Sequence, residues 1–186
     1  MEYIYLAGPE VFLPEADALG HAKKQLCQQY GFSGLFPLDT EIRMADDNEN
    51  LGFVISRANE GLIQQADIII ANLTPFRGPS ADVGTVYELG LARGLGKVLA
   101  GYSNDQTPFL QRTFAEFGSG ELHGQVSGEI HDRNGHKIEE FGLADNLMIE
   151  GGIHAAGGLF LTHDARPEER YTDLTAFERL LQKLAS

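Results

Sequence analysis

Apolar positions follow two rhythms along the first hundred residues. Tyr3-Ile-Tyr-Leu-Ala7 is a short β-branched and aromatic run stopped by Gly8-Pro9, and reads as a buried strand. Glu15 to Tyr30 carries Ala18, Leu19, Ala22, Leu26 and Cys27 at helical spacing, with Gly31 as its stop. Gly34-Leu-Phe-Pro-Leu38 is a second, weaker strand ending in Asp39, and residues 40–50 are polar and irregular. Phe53 to Ala66 predicts a helix with Val54, Ala58, Leu62 and Ile63 on one face. Asp67 to Leu73 is a continuous apolar run, so a strand covered on both sides. After the loop Thr74-Pro-Phe-Arg-Gly-Pro-Ser80, Thr85 to Arg93 predicts a helix closed by Gly94 and Gly96, and Lys97 to Tyr102 a fourth strand.

This alternation of strand and helix argues for a parallel sheet with right-handed crossovers. Residues 103–145, rich in Gly and His, break the pattern. Within them, Asp132-Arg-Asn-Gly135 between Glu129-Ile-His and His136-Lys-Ile predicts a hairpin turn. Gly158-Leu-Phe-Leu-Thr162 is a candidate fifth strand, and Leu174 to Leu184 a closing helix with Leu174, Phe177, Leu180, Leu181 and Leu184 on one face. Neither repeats nor low-complexity segments appear.

Composition narrows the function. A chain of 186 residues reads as one domain, residues 1–186, with enough core to need no disulfide or structural metal. Cys27 is the single cysteine, in line with a reducing, cytoplasmic setting. The net charge of −13 speaks against nucleic acid as partner, since phosphate binding needs a basic stripe. A small substrate, neutral or only locally charged, fits better. The opening Met1-Glu-Tyr-Ile-Tyr-Leu-Ala lacks the basic start of a signal peptide, and the longest apolar runs are far short of the ~20 residues of a membrane span.

In open parallel sheets ligands bind outside the carboxyl ends of the strands. Those ends are Ala7-Gly8-Pro9, Leu38-Asp39 and Asn72-Leu73, and the loop after the last leads to Asp82-Val-Gly-Thr-Val-Tyr-Glu88. Two carboxylates thus lie near one crevice. On one helix Asp82 and Glu88 would point about 240° apart, so they converge only if Asp82 stays in the loop and Glu88 lies in the first turn. Thr85-Val-Tyr-Glu88 also matches a capping box, in which the Glu closes the helix start, and Asp82 could cap likewise. A first-turn Glu feels the positive helix end, which suits a carboxylate nucleophile as well as a cap.

Other chemistries lack their residues. Gly8-Pro-Glu-Val has no G-x-G-x-x-G spacing, Gly96-Lys97 has no P-loop frame, and Ser80 no G-x-S-x-G frame. His131 and His136 flank a turn without ligand-like partners, and Cys27 sits on an apolar helix face, so neither a metal nor a cysteine nucleophile is expected.

The run Tyr3-Ile-Tyr-Leu-Ala-Gly-Pro-Glu-Val-Phe12, with Pro37-Leu-Asp39, Ala66-Asp-Ile-Ile-Ile-Ala-Asn-Leu-Thr-Pro-Phe-Arg-Gly78, Asp82-Val-Gly-Thr-Val-Tyr-Glu-Leu-Gly90 and Asp145-Asn-Leu-Met148, resembles the nucleoside 2-deoxyribosyltransferase family. Its Pro-Phe-Arg-Gly loop is most similar to the branch found in protozoa and some bacteria. The resemblance implies a flavodoxin-like three-layer α/β sandwich around a parallel sheet of about five strands. It implies dimers that often stack into hexamers, no cofactor and no metal, and deoxynucleosides and free nucleobases as the small-molecule partners.

It also implies roles. Glu88 would be the nucleophile at C1′ of a 2′-deoxynucleoside. Asp82 would hold sugar hydroxyls or handle the proton of the departing base. Tyr5 would orient Glu88. Gly8 would belong to the substrate site, with Phe12, Asp39 and Glu41 around the base. Asn146 and Met148 would complete the neighbouring subunit's site. Where many members carry a second aspartate, this chain has Asn59, which can hydrogen-bond a base but cannot supply an acid proton. Two rivals stand beside the transferase: a deoxynucleotide N-hydrolase, for which Arg43, Arg57 and Arg77 are the only cations near the crevice, and a non-catalytic nucleotide-binding module.

Overall fold

A computed structural model describes residues 1–39, 49–119 and 129–186; Glu41 and Arg43 lie outside the described residues. In chain order the elements are β1 (Tyr3–Ala7), α1 (Ala16–Gln29), β2 (Ser33–Leu35), α2 (Leu51–Gln65), β3 (Ile68–Asn72), α3 (Val83–Gly94), β4 (Val98–Ser103), α4 (Phe109–Phe117), α5 (Leu147–Ala155), β5 (Leu159–Thr162) and α6 (Thr175–Leu184). All strand pairs are parallel, in the order β2-β1-β3-β4-β5. This is the flavodoxin-like order. The chain steps outward from β1 to β2, then returns past β1 to β3, so a crevice opens at the carboxyl ends of β1 and β3.

Alternation along the strands makes the three layers. Ile4, Leu6, Ile68, Ile70 and Tyr102 pack with Cys27 of α1 and with Phe177, Leu180 and Leu181 of α6. On the other face Tyr5, Ala7, Ile69, Ala71 and Leu99 pack with Ile63 of α2, Leu89 and Ala92 of α3, and Ile149 and Ile153 of α5. β3 is buried along its whole length, as its unbroken apolar run predicts. No helix among the described residues is long and apolar enough to cross a membrane.

The expected second strand, Gly34 to Leu38, is shorter. Pairing stops at Leu35, and Pro37–Asp39 form a 3₁₀ turn closed by the Asp39 carboxylate on the amide of Phe36 at 3.1 Å. The hairpin forms as expected: Asp132 N donates to His136 O at 2.8 Å, and Ile138 N to Ile130 O at 2.8 Å. Gly135 takes the left-handed backbone, φ 83°, that this turn requires. Two helices were not expected from the apolar spacing. α5 carries Gly151-Gly152 at its centre and shows no clean apolar stripe, whereas α4 has Phe109, Leu110, Phe114 and Phe117 at helical spacing but no fully buried residue.

Candidate active site

Tyr5 is fully buried in β1 and points into the face covered by α2 and α3. Its hydroxyl donates to Glu88 Oε1 at 2.6 Å, so a central strand and α3 are joined through one short hydrogen bond. Burial, and then the Glu88 charge, push the phenol far above its ordinary range, so Tyr5 is a donor at every working pH. Glu88 is itself pushed up, to about 7. Burial is the main cause and the Asp82 carboxylate adds to it, while hydrogen bonds from Tyr5 and Asn59 pull the other way. Both amide ends of Asn59 matter here. The amide stands near Glu88 and favours its charged form, and Oδ1 is buried with no partner among the described residues.

The capping reading of Glu88 is corrected by the helix start. α3 begins at Val83, not Thr85, because Asp82 is the cap: its Oδ2 accepts the amide of Thr85 at 2.9 Å and the Thr85 hydroxyl at 3.1 Å. Glu88 is then the sixth residue of the helix, in its second turn, where it closes no helix end. Asp82 lies outside the helix, with ψ 131°, and its carboxylate remains near enough to Glu88 for its charge to raise the Glu88 pKa.

Gly8 marks the switch point. A Cβ there would stand 2.9 Å from Asn72 Cβ and 1.8 Å from Glu10 Oε2, so the ends of β1 and β3 approach only with glycine in place. Phe12, half exposed, stacks on Phe76 with ring centroids 5.5 Å apart and planes at 12°. Asp39 is exposed at the end of β2, paired with Lys24.

Asn146 and Met148 sit elsewhere. Asn146 caps α5, accepting Met148 N at 3.0 Å and donating to Glu139 at 2.6 Å. With Val83, Val86, Gly90 and Arg93 the two line a largely apolar cavity of about 550 Å3 between α3 and α5. Those four α3 residues point roughly 140–160° from Glu88 at 100° per residue. Within one chain, therefore, Asn146 and Met148 are on the flank of α3 opposite the nucleophile candidate. Met148 is 67% exposed and Val83 84%.

Sequence reasoning missed Asp145 as an organiser. It is 2% exposed and accepts from the Ser80 hydroxyl, Ala81 N at 2.8 Å and Asn146 N at 2.7 Å, with Arg112 4.0 Å away. It thereby ties the loop before α3 to the start of α5. Its position one residue before a helix-capping Asn was the available signal. Tyr171, edge-on to Phe76 and donating to Pro75 O at 2.6 Å, was also not foreseen. Among the described residues no three His, Cys, Asp or Glu side chains gather as a metal site.

The family model described as nucleoside 2-deoxyribosyltransferase matches residues 4–148. A solved 2-desoxiribosyltransferase from Leishmania mexicana is 31% identical, covers 98% of each chain and superposes with a TM-score of 0.64. An uncharacterized Schizosaccharomyces pombe protein, C191.05c, is 31% identical over 98% of this chain and 90% of its own length. A conserved Enterococcus faecalis V583 protein, 17% identical over 99% of both chains with a TM-score of 0.56, shares the fold. The chain belongs to the nucleoside 2-deoxyribosyltransferase family.

Proposed function

We propose that the protein exchanges the base of 2′-deoxynucleosides through a covalent deoxyribosyl–Glu88 intermediate. The observation that carries this reading is the half-buried Glu88 carboxylate held by the Tyr5 hydroxyl at 2.6 Å beside the switch-point crevice. Glu88 attacks C1′, and the C1′–N bond breaks with its electron pair leaving on the base, which takes up a proton. An ester between C1′ and Glu88 results. The ring nitrogen of a second base then attacks C1′, the C1′–O bond breaks, and the electrons return to the Glu88 carboxylate as the incoming base loses its proton. Two inversions give net retention.

Asp82 Oδ2 is taken up by Thr85, which leaves Oδ1 to accept a sugar hydroxyl. Asn59 favours the charged form of Glu88 and offers the unpartnered Oδ1 to the substrate. Gly8 gives the ligand close approach to backbone. Phe12 flanks the base, and Asp39 borders it.

The test is product analysis with deoxyinosine as donor and adenine as acceptor. Added adenine is expected to speed deoxyinosine consumption and to divert product from free deoxyribose to deoxyadenosine. Ribonucleosides are expected to turn over slowly, because a 2′-hydroxyl crowds the nucleophile and withdraws electrons from the oxocarbenium-like transition state. Deoxynucleoside monophosphates are expected to be poor substrates. Rapid release of deoxyribose phosphate from a monophosphate, indifferent to added base, would place the protein among N-hydrolases.

The position of Asn146 and Met148 supports a site completed across a homodimer. Glu88→Ala and Asn146→Ala chains, each inactive alone, are expected to recover about a quarter of wild-type activity after co-refolding. Half the dimers are then mixed, and each mixed dimer holds one intact site. Verified mixed dimers with no activity above their parents would sink the shared site.

A further inference from the structure

The fold buries an ion pair that the exchange chemistry does not use. Glu10, 1% exposed, lies in the 3₁₀ turn Pro9–Phe12, and Lys23, fully buried, lies on the sheet side of α1. Lys23 Nζ donates to Glu10 Oε1, which also accepts Asn72 Nδ2 at 2.9 Å and the Tyr102 hydroxyl at 3.2 Å. The ammonium stands 5.6 Å and 5.2 Å from the ring centres of Tyr102 and Phe177. Glu10 Oε2 is buried without a partner among the described residues and fills the space a Gly8 side chain would need. A buried charge pair adds little over well-packed apolar residues of the same volume. Stability is therefore a weak reason for its presence.

Its connections supply a better one. Asn72 Oδ1 accepts Thr74 N at 3.1 Å and Thr74 Oγ1 at 2.6 Å, and Thr74 Oγ1 accepts Asn104 N at 3.0 Å. One hydrogen-bond chain thus registers the turn after β1, the loop after β3 and the loop after β4. The first two deliver the stacked Phe12 and Phe76. The guanidinium of Arg77, a residue with φ 57°, lies 4.8 Å and 4.7 Å from those two ring centres. The rings can align only if the two loops keep a fixed relative height.

We propose that Glu10 and Lys23 are positioning residues: through Asn72 and Thr74 they set the two loops so that Phe12 and Phe76 form the wall that holds the incoming base and keeps water off the deoxyribosyl–Glu88 ester. This rests on the proposed exchange reaction. The ester has two fates. A base attacks C1′ and gives a nucleoside, or water adds its oxygen to C1′, loses a proton and frees deoxyribose, and in both cases the C1′–O bond electrons return to Glu88. A loosened wall lowers the effective concentration of the bound base, while water stays at about 55 M. The pair therefore governs the ratio of transfer to hydrolysis. A purely structural pair would lower both products in proportion.

The test uses two variants of the full chain with deoxyinosine and adenine. E10Q/K23M removes both charges together, so no buried charge is orphaned, and T74V removes the hydroxyl leg of the relay between Asn72 and Asn104 while leaving the pair and the bond from Thr74 N to Asn72 in place. Thermal midpoints establish folding, and products are separated well below them. The deoxyadenosine-to-deoxyribose ratio is expected to fall about tenfold in E10Q/K23M and about threefold in T74V, with a higher KM for adenine and the rate of ester formation within about twofold of wild type. An unchanged ratio in a folded variant, or a proportional loss of both products, overturns the proposal. Should E10Q/K23M not fold, T74V decides by the same criterion. Absence of any new nucleoside from the wild-type protein overturns the exchange reading instead.

Discussion

Glu88→Gln is expected to cut base exchange by at least about a thousandfold while making the folded protein more stable above neutral pH. The amide cannot form the ester, so the kinetic loss follows from the proposed chemistry. The stability gain follows from the carboxyl being pushed up to about 7 from 4.5, chiefly by burial. Between those two pH values the folded state keeps the proton that the unfolded chain has lost, so stability falls as pH rises through the interval. The accumulated cost is about 3 kcal/mol, since each tenfold difference in proton affinity between the folded and unfolded chain is worth about 1.4 kcal/mol. The Gln variant does not ionise and escapes it. Its advantage over wild type is expected to be fully developed by pH 8 and largely absent at pH 4.5, read as a difference in denaturation midpoints.

The proposed chemistry ties the pH profile of exchange to the same carboxyl. Wild-type kcat/KM is expected to rise about tenfold per pH unit below 7 and to level off above it, because only the carboxylate attacks. Tyr5→Phe removes a hydrogen bond that stabilises the carboxylate, so this rising limb is expected to move to higher pH. A profile unmoved by Tyr5→Phe, or a Glu88→Gln protein that keeps most of its exchange, would show that Glu88 does not carry the reaction.

Much of this site was legible because its residues follow strong local signals. The run from Asp67 to Leu73 announces a central strand, and the Gly8-Pro9 and Asn72-Leu73 ends locate the crevice. Asp82 and Glu88 are close in sequence, so their convergence depends only on where one helix begins. There the reading failed by two residues: Thr85 made a plausible cap, yet the Asp82 side chain reached the Thr85 amide first. Contacts between distant segments were not legible. The Asp145 carboxylate meets Ser80 and Ala81 across more than sixty residues of chain, with separations of 65 and 64. Lys23 interrupts the apolar stripe of α1 between Leu19 and Cys27, which hints at a buried partner but cannot name Glu10. α5 went unread since a helix with Gly151-Gly152 at its centre leaves no sharp period, whereas the short stripe of α4, Phe109, Leu110, Phe114 and Phe117, was legible and was passed over.

Asp145→Ala is expected to cost about 3–5 kcal/mol, because it removes a buried carboxylate that three donors and a nearby guanidinium share, one of those donors fully buried. The Ser80 hydroxyl, Ala81 N and Asn146 N all lose their acceptor. Arg112 loses a negative neighbour as well. Burial already holds its guanidinium below the ordinary range, and Asp105 and Asp145 are what oppose that. For a chain of 186 residues the thermal midpoint is expected to drop by about 10 °C. Asp145→Asn keeps one acceptor oxygen and much of the volume, so its loss is expected to be clearly smaller. The effect on exchange separates stability from assembly. Asp145 fixes both the approach to Asp82 and the cap Asn146. Well below its midpoint Asp145→Ala is therefore expected to bind deoxynucleoside poorly, with KM raised more than kcat is lowered. A variant that melts early but shows wild-type KM would make Asp145 a brace for the fold alone.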